Sequence, residues 1–268
     1  MPRALVGTLR TYWLWCGMVS FGIILFLASP GGYGAKAHTV LHGLCAQTPA
    51  HTFMLGGQSL PFDGRMTGIY GGTFAGFLYL ALRRRILFYG NPSAIVISFL
   101  AGFVGLMALD GFNSLFTDLG TWHPYEPRNL YRLVTGFGTG MALAVTLSWL
   151  LASSMWNLSS PKPGLSTMRD LGGMALIGVP YGLAIYSGSG RLFAPISALL
   201  LTSAWLTLTV LMLVVVLLLF RIDERVREVP QLHVPGAVAA AMALVMILSL
   251  AAGRFWLERT FGIPMNPV

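Results

Sequence analysis

Three of the five histidines and one of the two cysteines fall in one short polar stretch, residues 38–51, of an otherwise apolar chain. His38 and His42 are four apart, which on a helix places both on one face. Cys45 follows three residues later. A His-x3-His-x2-Cys pattern offers three ligands to zinc or another borderline metal, with His51 or Asp63 as a fourth. The spacing matches no strong zinc signature, and the favoured reading of the same residues is a folded loop with hydrogen-bonded or solvated histidines. A metal ion is the one cofactor these residues suggest.

Asp110 lies inside an apolar run, about six residues from one end of it. A carboxylate at that depth in a bilayer is costly unless it faces a partner or water. Arg65 and Arg132 stand at the ends of neighbouring apolar runs, and either can pair with it. The candidate polar cluster is Asp63, Arg65, Tyr70, Asp110, Asn113, Glu126, Asn129 and Arg132, with His123 at a similar level. It reads either as an interhelical salt bridge joining three helices or as a substrate site.

These residues need elements to hold them, and composition says which. Of 268 residues 55% are hydrophobic and 10% charged, with a mean hydropathy of +0.71. Soluble domains carry about 25% charged residues, and a bilayer core about 30 Å thick takes ~20 apolar residues per helix. The chain is expected to be an all-α polytopic transmembrane bundle, one domain over residues 1–268, with a polar loop at 31–65. Seven spans are expected, at about 12–30, 66–82, 93–116, 130–153, 171–187, 194–220 and 235–256. The first reads as a retained helix rather than a signal peptide, being longer than a signal core. The fifth contains Pro180 and four glycines, and Pro180 is expected to kink it.

Net charge is +8, but the arginines sit in short blocks beside apolar runs, a topology signal and not a nucleic-acid surface. With the N-terminus inside, Arg3, Arg10, Arg83, Arg84, Arg85, Lys162, Arg169, Arg221, Arg225 and Arg227 are cytoplasmic. Lys36, Arg65, Arg128, Arg132, Arg191, Arg254 and Arg259 are then outside, ten against seven. This bias predicts N-in, C-out, an extracytoplasmic 31–65 loop, and a multi-pass protein of the cell inner membrane. Residues 154–170 read as a loop containing Pro161-Lys162-Pro163-Gly164, and RIDERVREV (221–229) reads as a solvated connection. Cys16 and Cys45 are far apart in depth, so no disulfide is expected between them.

Helix association in lipid relies on close backbone contact through small residues. Gly68, Gly72 and Gly76 follow a strict four-residue spacing with Gly71 alongside, and Gly136/Gly140 and Gly178/Gly182 repeat the device. Packing within the bundle is the expected use. A homodimer or docking to other membrane subunits is the alternative, and the bilayer is a partner in either case.

The run Cys45-Ala-Gln-x-Pro-x-His-Thr, followed by Pro61-Phe62-Asp63-Gly64-Arg65-Met66-Thr67-Gly68-Ile69-Tyr70, resembles a family of prokaryotic membrane proteins. It is the group catalogued as domain of unknown function 2085. Asp110-Gly111 and Asn129-Leu-Tyr-Arg132-x-x-Thr135-Gly136 are similar to its downstream pattern, and the likeness spans about residues 38–140. Ala46 stands where that family has His, and Asp63 and Met66 stand where it has cysteines. The resemblance implies a fold and a polar cluster with much of the Cys/His set missing; it implies no activity. Three readings of function follow. The chain is a non-enzymatic subunit or scaffold of a membrane complex, a membrane-embedded enzyme with an outward metal or carboxylate site, or a small-solute or ion transporter coupled through Asp110.

Overall fold

A computed structural model describes residues 2–87, 90–155, 167–220 and 229–262. The elements are α1 (Pro2–Ala28), α2 (Tyr33–Leu41), a hairpin of β1 (Thr52–Leu55) and β2 (Gln58–Asp63), α3 (Gly64–Leu82), α4 (Ala94–Asp118), α5 (Asn129–Met155), α6 (Met168–Tyr186), α7 (Phe193–Leu219) and α8 (His233–Phe261). Long helices occupy each place where an apolar run predicts one. Residues 156–166 of the expected 154–170 loop and residues 221–228 of RIDERVREV lie outside the described residues.

Among the described residues, fewer than seven helices are long and apolar enough to cross a membrane: the four at Ala94–Asp118, Asn129–Met155, Gly190–Leu219 and Val229–Phe261. The pair Trp13–Ala28 and Tyr33–Leu44, bent by 119°, makes a fifth if it is counted as one span. The 19-residue helices α3 and α6 fall outside this set. Their lengths suffice, but glycines, Arg65, and the pair Arg169 and Asp170 dilute their apolar character. Helix α6 also runs through Pro180 without ending.

The expected 31–65 loop is folded. Gly56 and Gly57 have φ of 58° and 80°, the positive pair that a two-residue hairpin turn requires. They close an antiparallel ladder in which Leu55 faces Gln58 and Thr52 faces Asp63. Leu55, Leu60 and Phe62 are fully buried, and with Leu41 of α2 they pack on Phe193, Ile196, Leu200 and Ala204 of α7. The segment therefore plugs one end of the bundle. Gly43 permits a close approach behind it, since a Cβ there would stand 2.6 Å from Leu250 O of α8.

The centre of the bundle is the α3–α5 contact. A methyl at Gly68 or Gly72 would enter the backbone of α5 at Leu133 and Phe137, and one at Gly140 would enter α3 at Ile69. A Cβ on Gly136 would lie 3.2 Å from Gly68 Cα. Thr73 Oγ1 crosses the contact to donate to Gly140 O at 3.2 Å. Gly76 meets Ala144 in the same row. The glycine row of α3 is thus filled by α5 of the same chain, which removes it as a surface for a second copy. The third pair divides: Gly178 makes room for the Phe137 ring, whereas Gly182 has nothing within 4 Å and packs no helix.

Gly72→Ala is expected to lower unfolding stability by about 1–3 kcal/mol through overpacking. Gly182→Ala, facing open space, should stay within about 0.5 kcal/mol of the wild type. Thermal unfolding of the two variants in one detergent reads the difference, and equal effects would refute the assignment of the packing face.

Candidate functional site

The polar cluster forms where the N-terminal turns of α3 and α5 meet the last turns of α4. Asp63 ends β2 and caps α3: its Oδ1 accepts from Met66 N at 2.9 Å. That cap fixes the first turn and sets Arg65 facing α4. Arg65 Nη2 donates to Asp110 Oδ2 at 2.9 Å and lies 3.4 Å from Ser114 Oγ. Asp110 is 1% exposed. Its other oxygen accepts from the Tyr125 hydroxyl at 3.0 Å, so both carboxylate oxygens are engaged. Burial, then the Asp110 hydrogen bond, pushes the Tyr125 phenol upward and keeps it a donor.

Tyr125 is aimed by Asn113, which donates to its carbonyl at 2.8 Å and accepts from its N–H at 3.3 Å. Arg132, 5% exposed, donates to Asn129 Oδ1 at 2.8 Å and to Ser114 Oγ at 3.2 Å. Ser114 is thus shared by both guanidinium groups. The anticipated choice of Arg65 or Arg132 for Asp110 falls to Arg65, because Arg132 is held one turn away by its own Asn129. Arg65 Nε is buried without a hydrogen-bond partner among the described residues.

Two expected members stand apart. Tyr70 lies deeper, its ring stacked on Phe62 with centroids 4.7 Å apart and planes 14° off parallel. Its role is packing beneath the hairpin. Glu126 is on the surface, its side chain 81% exposed, and pairs with His123 at 3.3 Å. Nearness in the chain to cluster residues could not show which way either side chain faces.

The four candidate metal ligands are not gathered. Among the described residues no group of three or more His, Cys, Asp or Glu side chains is arranged to hold a metal ion. Helix α2 ends at Leu41 and His42 begins a 3-10 turn, so the helical spacing that would align the two histidines is broken between them. His38 Nε2 lies 2.9 Å from Ser59 O. His42 stacks on Phe255, with Nδ1 2.9 Å from Gln47 Oε1 and Nε2 2.8 Å from Glu258 Oε2. His51 points away to Asp118 at 3.6 Å. Burial, followed by the nearby Arg132, lowers the His51 pKa despite Asp118, so the neutral ring is favoured there.

Cys45 Sγ accepts from Asp63 N at 3.3 Å and Gln47 N at 3.4 Å. The beginning and the end of the Cys45–Met66 motif therefore meet in space. Burial, then the Asp63 carboxylate, pushes this thiol up to about 12.

Two partners were missed. Glu258 and Arg254 form an i,i+4 pair near the end of α8, with Nε donating to Oε1 at 2.8 Å. Arg254 also donates to His42 O at 2.7 Å, to Cys45 O and to Ala46 O, clamping the 42–47 turn. Their four-residue spacing was visible, but their partner lies more than 200 positions away. Asp170 was also passed over, although Thr167-x-x-Asp170 is a capping-box spacing. At the other end of the bundle it ties Tyr79 (2.8 Å) and Arg85 (3.3 Å) of the α3 end to α6.

The segment that carries this geometry is also the one with known relatives. Residues 45–146 match the family described as Predicted membrane protein (DUF2085). This is a membrane protein segment of unknown function. The match covers the hairpin, α3, α4 and most of α5, and so takes in the glycine contact and the whole Arg65–Asp110–Arg132 arrangement. No curated protein and no solved structure matches the chain.

Removing one partner of a buried ion pair leaves an uncompensated charge, at a cost of about 3–5 kcal/mol. Arg65→Ala is expected to lose stability on that scale, while Glu126→Gln is expected to be near neutral; chemical unfolding in detergent distinguishes them. Cys45, held as a thiol, should resist alkylation at neutral pH in the folded protein and react on unfolding, read by mass in a Cys16→Ser background. Rapid native labelling of Cys45 would contradict its burial.

Proposed function

We propose that the chain is a non-enzymatic integral membrane scaffold or subunit, with seven spans, N-in and C-out, in the cell inner membrane. The polar cluster then lies on the extracytoplasmic side. The observation that carries this reading is the state of Asp110. The one carboxylate deep in α4 has both oxygens bonded, one to Arg65 and one to Tyr125, and is closed from solvent.

A coupling or catalytic carboxylate needs an open side from which substrate or a proton arrives. Here the group joins α3, α4 and the α4–α5 connection instead. His42, Glu258 and Arg254 do the same for the plug and α8. The residues suited to chemistry work as fasteners between helices. On the outside, α4 leaves a long apolar face uncovered, with Ile95, Phe99, Leu106, Leu109 and Phe112 exposed. Such a face suits lipid or the helices of a larger assembly.

Purification from native membranes in a mild detergent is the test. The chain is expected to elute within a complex containing other membrane proteins, and reporters fused to the 56–57 turn are expected to report the extracytoplasmic side. Recovery as an isolated monomer would overturn the subunit reading.

A further inference from the structure

Beside the hairpin, a groove of about 700 Å³ opens between the first turn of α2, the hairpin tip and the start of α7. That volume lies within the range of about 300–1,000 Å³ typical of small-ligand sites. Its walls include Tyr33, His38, Gln58, Ser59 and Phe193, and no Asp, Glu, Lys or Arg lines it. The space exists because glycines surround it; a Cβ on Gly32 would meet nothing within 4 Å.

The polar groups on this groove are incomplete in a specific way. His38 is 6% exposed and lines the wall. Its Nε2 approaches Ser59 O at 2.9 Å, and a carbonyl only accepts, so Nε2 carries the hydrogen. In the neutral tautomer Nδ1 is then an acceptor, and it has no partner among the described residues. Earlier on the same helix, the first turn of α2 follows Gly32 with no side-chain cap, leaving backbone N–H donors without intrahelical acceptors. The groove thus offers the unpartnered Nδ1 of the groove-lining His38 as an acceptor and the first backbone N–H groups of α2 as donors, and no charged side chain among its lining residues.

An anion would satisfy the donors but would set its own lone pairs against Nδ1. A cation or amine would do the reverse. A hydroxyl group does both, donating to Nδ1 and accepting from a backbone N–H. The remaining wall is aromatic: Tyr33 and Phe193 meet edge to face with centroids 6.3 Å apart, and the Tyr33 hydroxyl is tied to Ala194 O at 3.0 Å. A ring with one apolar face packs against such a surface.

We propose that this groove binds a neutral hydroxyl-bearing ring, the chemistry of a sugar, offered either as a free saccharide or as the headgroup of a glycolipid. The site is separate from the Arg65–Asp110 cluster, and it gives the scaffold a ligand rather than a reaction.

The test uses the full chain in nanodiscs of phosphatidylethanolamine and phosphatidylglycerol, with glucose and monoglucosyl diacylglycerol as probes. Saturation-transfer NMR reads free glucose, and native mass spectrometry reads retained glucolipid. Binding of both supports headgroup recognition, glucolipid alone assigns the ligand to the membrane, and glucose alone assigns it to free saccharide. His38→Phe removes the acceptor and is expected to weaken binding by about tenfold or more. His38→Asn, which keeps an acceptor near Nδ1, should recover part of it. Gly32→Trp fills the groove without touching His38 and should abolish binding at an unchanged unfolding temperature. No binding of either probe, or wild-type binding by Gly32→Trp, overturns the proposal.

Discussion

Everything in this bundle depends on how closely α3 and α5 approach. Two helices in lipid gain little from hiding apolar surface from one another, so their association rests on dispersion and on polar contacts that only short distances allow. Gly68, Gly72, Gly136 and Gly140 remove the side chains that would hold the backbones apart. The approach brings Thr73 within reach of Gly140 O, and it sets the N-terminal turns of the two helices side by side, with Asn129 O near Gly64. Arg65 and Arg132, one on each turn, are consequently neighbours. Two guanidinium groups placed so near each other demand acceptors, and α4 supplies them in Asp110 and Ser114. The position of α4 follows from the charge that the glycine contact concentrates.

The same logic explains why the end of the bundle is plugged. Residues 42–63 are mostly not α-helical and partly buried, and such backbone within a membrane survives only when its polar groups find partners in protein or water. The hairpin satisfies part of that need with its own ladder. Gln47 Nε2 satisfies more, donating to His38 O and Pro61 O at 3.0 Å each. Arg254 of α8 then takes the carbonyls of the 42–46 turn. One half-buried cation so completes a segment whose polar groups would otherwise be orphaned; Glu258 balances its charge and also takes the His42 ring.

Much of this was legible in the sequence, for identifiable reasons. Helix α7 was expected over 194–220 and spans 193–219, because an unbroken apolar run stops where its composition changes. The glycine row was legible because four-residue spacing has one geometric meaning on a helix, and Asp110 because a lone carboxylate in an apolar run must have a partner. Other features depend on direction rather than spacing. Tyr70 and Glu126 sit beside cluster residues in the chain but turn away from them, one to Phe62 and one to solvent. The hairpin had a local signal in Gly56-Gly57 between short apolar runs, which the histidine-rich context masked. The clamp of Arg254 and Glu258 had none pointing to its target, since nothing local ties the end of α8 to residue 42.

The polar stretch that drew attention first therefore changes meaning once its partners are known. Histidine and cysteine in a compact spacing suggest metal because ligation is the use for which their spacing matters most. In a plug packed into the end of the bundle the same residues answer a different demand. A ring nitrogen can reach a carbonyl or a carboxylate across a helix boundary, and a buried thiol can accept two backbone N–H groups. Ligation requires several such side chains to converge on one point; satisfying a buried backbone requires them to diverge toward scattered groups. His38, His42, Cys45 and His51 diverge, to Ser59, Glu258, the N–H groups of Asp63 and Gln47, and Asp118. Their directions, not their identities, place them in the architecture of the plug.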